Sequence, residues 1–228
     1  MKKIFLLIVI ITFSLTSCDR ESNGGVDFIP ENTNFNFDSR LPESFQSNPD
    51  ISARIGQMQS ITNASGVFMN SMTSSRVTVL NRNSNHSSKN SHLTNNYTWV
   101  YGSYVVIYSF GIVGDNYEFE YSINLNGDLF YEASGYQAVD GTSGHWEASF
   151  TNGIDYNVVY DWSINSAGDI HIESVFTLGN DTLEYEFNLL SDNSGDLTYI
   201  LNQDTLFEMS WNSLGHGSYI INGEVFNF

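Results

Sequence analysis

Apolar and polar residues alternate strictly along much of the C-terminal part of the chain. In three segments the apolar residues share one parity: Tyr117, Phe119, Tyr121 and Ile123; Tyr156, Val158, Tyr160, Trp162 and Ile164; and Leu183, Tyr185, Phe187 and Leu189. A period of two is typical of antiparallel strands with one face in a core and the other in water. Gly-Asp, Asn-Gly and Asn-Ser pairs separate the segments at hairpin spacing. We therefore predict a mainly β domain over residues 97–228, an antiparallel meander of about ten strands.

Residues 49–96 show a different period. Their apolar and small residues recur at steps of three, four or seven, at Ile51, Ile55, Met58, Ile61, Ser65, Phe68 and Met72. Asn48-Pro49-Asp50 offers a cap and a proline start, so the pattern predicts a helix over about 50–72 followed by a polar loop to residue 96. A sheet of this length twists and would leave an apolar face wet. We expect a curved or half-barrel sheet with this amphipathic helix packed on its apolar side.

An internal repeat supports the meander. Residues 121–132 align with residues 162–173 at a period of 41, with six identities in twelve, and a weaker third copy lies at 193–197. Repeats of this size predict duplicated hairpin units that pack side by side.

Charge divides the chain near residue 90. The formal net charge is −18, yet residues 90–228 contain nineteen acids and no lysine or arginine. Nucleic acid is excluded as a partner because phosphate binding depends on Lys and Arg. The acids form either a solvated face that aids solubility or a surface that binds divalent cations, a basic protein or a glycan.

The N-terminus combines Lys2 and Lys3 with a twelve-residue run of apolar and small residues at 4–15 and the sequence Leu15-Thr16-Ser17-Cys18. The run is shorter than the roughly 20 residues that a membrane-spanning helix needs. This layout resembles a bacterial lipoprotein signal. The resemblance implies a signal peptide at 1–17, cleavage between Ser17 and Cys18, a lipid on Cys18, and a tether and linker at 18–48. The alternative is an ordinary signal peptide that leaves a free thiol.

The resemblance also implies a location and a membrane partner. A lipid-anchored protein of this class lies at the bacterial outer membrane, either periplasmic or surface-exposed, and contacts the membrane through Cys18. Asp19 and Glu21 look like the acidic export signal of Bacteroidota lipoproteins. Cys18 is the one cysteine in the chain, so no internal disulfide can form.

Several groups of residues carry candidate chemistry. Glycosidases use paired carboxyls, and Glu118/Glu120 and Glu184/Glu186 are such pairs, although any solvent-facing strand gives the same spacing. Asp192 and Asp196 lie in an oxygen-rich segment that could bind calcium, with a hairpin turn as the alternative.

The five histidines lack zinc-site spacing, and hydrolase elbows and phosphate loops are absent from the sequence. We predict no catalytic residue and no cofactor. Trp99, Trp146, Trp162 and Trp211 could stack on sugars but fall mainly on the core parity.

Three functions are consistent with these patterns. The first is a lipid-anchored cell-envelope protein with a non-enzymatic binding or structural role. The second is a half-barrel carrier of lipid or another apolar ligand, which requires an apolar cavity of several hundred Å³. The third is a glycan-active enzyme, which requires two clustered acids with at least one buried.

Overall fold

The structure, a computed structural model, describes residues 37, 39–73, 93, 95–151 and 156–228, with the backbone alone at 70–73 and 95. The predicted signal peptide, Cys18, the linker up to residue 36 and most of the polar loop lie outside the described residues.

Two helices precede the sheet: α1 (Ser44–Ser47) and α2 (Pro49–Thr73). Asn48 begins α2, because its Oδ1 accepts hydrogen bonds from the backbone N–H of Asp50 at 3.1 Å and of Ile51 at 3.3 Å. The helix predicted over 50–72 is therefore confirmed. Among the described helices, neither is both long and apolar enough to cross a membrane.

Twelve strands follow in one sheet. They are β1 (Asn95–Tyr101), β2 (Tyr104–Val113), β3 (Asn116–Leu125), β4 (Asp128–Ala138), β5 (Ser143–Phe150), β6 (Tyr156–Ile164), β7 (Ile170–Leu178), β8 (Asp181–Leu189), β9 (Gly195–Leu201), β10 (Asp204–Trp211), β11 (Gly217–Ile221) and β12 (Glu224–Asn227). Each strand pairs antiparallel with its neighbours in chain order. The mainly β antiparallel meander is confirmed.

Two details of the predicted sheet are wrong. It has twelve strands instead of about ten, and it is open and uncurled instead of curved or half-closed. Short turns keep each strand beside its predecessor, so β1 and β12 remain at opposite edges and do not pair with each other. Alternation fixes which residues share a face, but it does not fix the angle between strands.

Five-residue turns recur at one end of the sheet. They span residues 165–169, 190–194 and 212–216, and in each the first backbone N–H donates to the carbonyl oxygen of the fifth residue. The fourth residue has a positive φ, 85° at Gly168, 67° at Asn193 and 77° at Gly215. At the opposite end, Asn126-Gly127 forms a two-residue turn with φ values of 55° and 95°, as a type I′ turn requires.

The sequence repeat does not produce a structural repeat. Its first copy contains the two-residue turn at Asn126-Gly127, and its second contains the five-residue turn at 165–169. These turns join β3 to β4 and β6 to β7, at opposite ends of the sheet. Each copy forms an antiparallel hairpin of the one sheet, β3–β4 and β6–β7, but the two hairpins have different turns, so the sequence similarity reflects shared turn residues.

Helix α2 covers the apolar face of the sheet, as predicted. Phe68 packs on Trp146 with ring centroids 4.5 Å apart, and the Tyr199 hydroxyl donates to the Arg54 carbonyl oxygen at 2.9 Å. Beside α2, Phe45 of α1 meets the Trp211 ring edge-on at 5.2 Å. Trp146, Trp162 and Trp211 are buried, which supports their interpretation as core residues. Burial of these side chains is the main source of stability in such a core.

Two glycines leave room for tryptophan rings in the core. Gly144 pairs with Trp162 across β5 and β6, and Gly195 pairs with Trp211 across β9 and β10. A Cβ atom at Gly144 would lie 2.0 Å from the Trp162 ring, and one at Gly195 would lie 2.6 Å from the Trp211 ring. Each indole therefore occupies the space that a side chain on the opposite strand would need.

Candidate interaction face

The face of the sheet opposite α2, called the outer face below, is acidic. Register places ten carboxylates on it: Glu118, Glu120, Glu132, Glu147, Asp161, Glu173, Glu184, Glu186, Asp196 and Glu208. None of these carboxylates is buried. No lysine or arginine occurs in residues 90–228, so the strands themselves cannot neutralise this charge.

Three of these acids lie directly opposite one another. Asp161 pairs with Glu173, and Glu173 pairs with Glu186, which places like charges on adjacent strands β6, β7 and β8. Like charges at directly opposed positions destabilise a sheet. The sheet therefore keeps an unfavourable row of charge, called the acid row below, that a bound cation or basic group would relieve.

Two histidines border the acid row. His145 Nδ1 lies 2.7 Å from Asp161 Oδ1, and the His145 ring stacks on Tyr136 with centroids 5.8 Å apart. His171 Nδ1 lies 2.7 Å from Asn188 Oδ1 and 4.0 Å from Glu186 Oε1. Each ring therefore lies beside a carboxylate of the row.

A shallow trough of about 380 Å³ lies on the outer face between β4 and β6. The Ser134 hydroxyl donates to Glu147 Oε1 at 3.1 Å, and the Ser149 hydroxyl donates to Glu132 Oε1 at 3.2 Å. Serine hydroxyls therefore orient both carboxylates at exposed positions. The trough is a polar surface suited to a hydrated or hydrogen-bonding partner.

The segment predicted to bind calcium forms one of the five-residue turns. Asp192 Oδ1 accepts hydrogen bonds from the Ser194 backbone N–H at 2.9 Å and from its hydroxyl at 2.5 Å, and these bonds lower the pKa of Asp192. Asp196 lies beyond the turn on β9, where Asn188 Nδ2 donates to its Oδ1 at 2.8 Å. The turn alternative accounts for these contacts. Calcium binding at Asp192 and Asp196 stays a prediction, and the described residues contain no group of three His, Cys, Asp or Glu side chains arranged to hold a metal.

Arg40 fastens the segment before the helices to this end of the sheet. Its Nη2 donates to the Leu190 carbonyl at 2.6 Å, its Nη1 to the Gly168 carbonyl at 3.1 Å, and its Nε to Asn193 Oδ1 at 3.3 Å. One guanidinium thus joins two of the five-residue turns. Sequence reasoning missed this residue, because a lone arginine in a linker gives no periodic signal.

The carboxylate pairs proposed for glycan chemistry lie on the outer face. Glu118 and Glu120 are on β3, and Glu184 and Glu186 are on β8, all partly or fully exposed. A catalytic acid needs a raised pKa, which burial supplies. Among the described carboxyls, turn hydrogen bonds lower the pKa of Asp140, Asp169 and Asp192. This geometry favours a surface role for the carboxylates over acid catalysis.

Neither of two surface cavities in the described part of the chain lies between α2 and the sheet. One is the trough on the outer face, and the other is a depression of about 740 Å³ beside the turn at 212–216. Between helix and sheet, the aromatic side chains pack on Ile51, Met58 and Phe68. At these described positions the apolar face is occupied by the protein's own side chains.

Comparisons with known proteins add no family. No family description, no curated protein and no solved structure matches this chain.

Proposed function

We propose that the protein is a non-enzymatic, lipid-anchored component of the bacterial outer membrane that binds a basic partner through its outer face. The single observation that carries the binding role is the acid row of Asp161, Glu173 and Glu186. A cationic partner gains more from opposed carboxylates than from scattered ones, because it relieves their mutual repulsion as it binds.

The shape of the outer face also supports this role. An open sheet presents its carboxylates on a broad surface, and the residues around them are polar or carry hydroxyl groups, as in the trough at Glu132 and Glu147. A basic protein segment fits such a surface through salt-dependent contacts. The carrier and glycan-enzyme alternatives have less support, since the apolar face is packed and the carboxylates are exposed.

The binding role is tested with a decalysine peptide as the probe. The variant Asp161→Asn/Glu173→Gln/Glu186→Gln removes the acid row and should weaken peptide binding about tenfold at low salt, with a smaller difference at high salt. The matched control Asp128→Asn/Asp181→Asn/Asp204→Asn removes the same charge from strand ends. Equal weakening by both variants would show that net charge alone attracts the peptide, and the proposed role of the outer face would fail.

The lipid anchor is tested separately in cells that express the full chain. Radiolabelled palmitate should enter the protein and should be lost in Cys18→Ser, with the mature product beginning at residue 18. A mature product that begins elsewhere, or unlabelled protein, would refute the anchor and leave the binding role untouched. Native mass spectrometry of protein from its source would identify bound lipid, metal or sugar in one measurement.

A further inference from the structure

The first hairpin of the sheet differs from all the others in charge. Residues 90–114, which include β1 and β2, contain no Asp, Glu, Lys or Arg, whereas nineteen acids follow from Asp115 onward. This hairpin therefore carries no carboxylate that a basic partner could bind. The uncharged segment lies at one edge of the sheet, because β1 pairs with β2 alone among the described strands.

The hairpin is aromatic on the face that α2 covers and partly apolar on the outer face. Tyr97 and Trp99 of β1 lie on the same face as α2, and Tyr97 stacks on Phe110 with centroids 5.8 Å apart. On the outer face, Val100 pairs with Val105, and Val100 is 67% exposed. At β1 one flank is missing from the described sheet.

The two edges of the sheet also differ in their protection against pairing. Strand β12 has four residues and includes Glu224, and short length and charge are devices that block an edge. Strand β1 has seven residues with no charge and no proline, and its end residue Tyr101 is 82% exposed. Of the two edges of the described sheet, the one at β1 is therefore better suited to pair with another strand than the one at β12.

We infer that β1 is the pairing edge of a homodimer, in which two copies join antiparallel across a two-fold axis at Thr98. In a two-residue hairpin the pair next to the turn, here Tyr101 and Tyr104, is hydrogen-bonded, so the N–H groups of Thr98 and Val100 point to the open edge. Full overlap of two seven-residue strands places Thr98 opposite Thr98. Tyr97 of one copy then faces Trp99 of the other, and both lie on the apolar side.

A second copy fits this edge better than a charged partner does. The axis is perpendicular to the sheet, so the apolar faces of both copies stay on one side. The aromatic stacking of Tyr97 and Phe110 would then continue across the junction. The first acid-bearing strand is β3, and the two copies of β3 would lie five strand spacings apart, about 24 Å. That distance exceeds about two Debye lengths at physiological salt, so repulsion between the acidic bodies is weak there.

The test uses crosslinking of the full chain in membranes with a short bismaleimide. Thr98→Cys should give a dimer band, whereas the unsubstituted chain, which reports any crosslink through Cys18, should not. The control Val225→Cys places a thiol on β12, where Val225 is 63% exposed, and should remain monomeric. Sedimentation of the purified full chain in detergent should give twice the monomer mass.

A proline variant separates pairing from folding. Thr98→Pro removes an N–H that faces the open edge and leaves the β1–β2 hydrogen bonds intact, so it should convert the dimer to monomer with an unchanged circular dichroism spectrum. Thr98→Val keeps the N–H and should stay dimeric. A monomeric unsubstituted chain would overturn the inference, as would a mixed crosslink between Thr98→Cys and Val225→Cys, which indicates head-to-tail chains.

Discussion

Substitution of Gly144 by alanine tests whether the close packing of Trp162 on Gly144 contributes to the stability of the core. The new Cβ atom would lie 2.0 Å from the Trp162 ring, about 1.4 Å short of the 3.4 Å at which ordinary contact begins. Trp162 is only 3% exposed and its ring packs beside Tyr160 at 5.9 Å, so the indole cannot swing into open space. The sheet must distort or the indole must leave its site.

We expect Gly144→Ala to lower the free energy of unfolding by about 2 to 3 kcal/mol, the upper part of the range for overpacked cores. For a domain of this size the melting temperature should fall by about 4 to 12 °C. Urea denaturation followed by tryptophan fluorescence measures both the midpoint and its slope. The free energy change should appear in the midpoint alone if the unfolded state is unchanged.

Two further variants make the measurement decisive. Gly56 lies in α2, where an added Cβ atom would have nothing within 4 Å, so Gly56→Ala should stabilise the protein by about 0.5 to 1 kcal/mol. Adding Gly144→Ala to Trp162→Leu should cost less than adding it to the unsubstituted chain, because the smaller side chain leaves room. A Gly144→Ala variant within about 0.5 kcal/mol of the unsubstituted protein would refute the steric reasoning.

Three other predictions follow from the charges and contacts. Glu173→Gln should raise the free energy of unfolding by about 0.5 kcal/mol at low salt, because Glu173 faces Asp161 and Glu186, and the gain should shrink at high salt; a loss would contradict the like-charge argument. Arg40→Ala should cost about 1 to 2 kcal/mol in urea denaturation through its three lost hydrogen bonds, and Arg40→Lys should recover only part. Burial raises the pKa of Tyr156 to about 12, above its value near 10 in the unfolded chain. The stabilising contribution of the protonated phenol is therefore complete below pH 10, and the free energy of unfolding falls by about 1.4 kcal/mol per pH unit between pH 10 and pH 12. Tyr156→Phe should make the loss of stability in that window less steep, and an unchanged slope would contradict the assignment.

Local periodicity predicted the elements of this fold well. The helix predicted at 50–72 is observed at Pro49–Thr73, because both its cap at Asn48 and its apolar stripe are encoded within a few residues. The parity of residues 156–164 likewise placed Tyr156, Val158, Tyr160 and Trp162 in the core. These features depend on neighbours in sequence, so a single sequence contains them.

Features that depend on strand register were not predictable from the sequence. The acid row exists because Glu173 lies opposite both Asp161 and Glu186, and no single segment shows that pairing. Arg40 contacts Gly168 and Asn193, and each of these residues lies more than 100 positions from Arg40 along the chain. The open sheet differs from the expected half-barrel for the same reason, since the relation of distant strands accumulates over eleven turns.

Strict alternation leaves a meander exposed to misalignment. A strand that slides by two residues keeps its apolar side chains on the correct face, so burial alone barely penalises the slip. Gly144 beneath Trp162 and Gly195 beneath Trp211 remove that freedom, because a slide would bring a larger side chain under each indole. These two glycines therefore fix the strand register, and they allow a repetitive chain to fold with one strand pairing out of many near-equivalent ones.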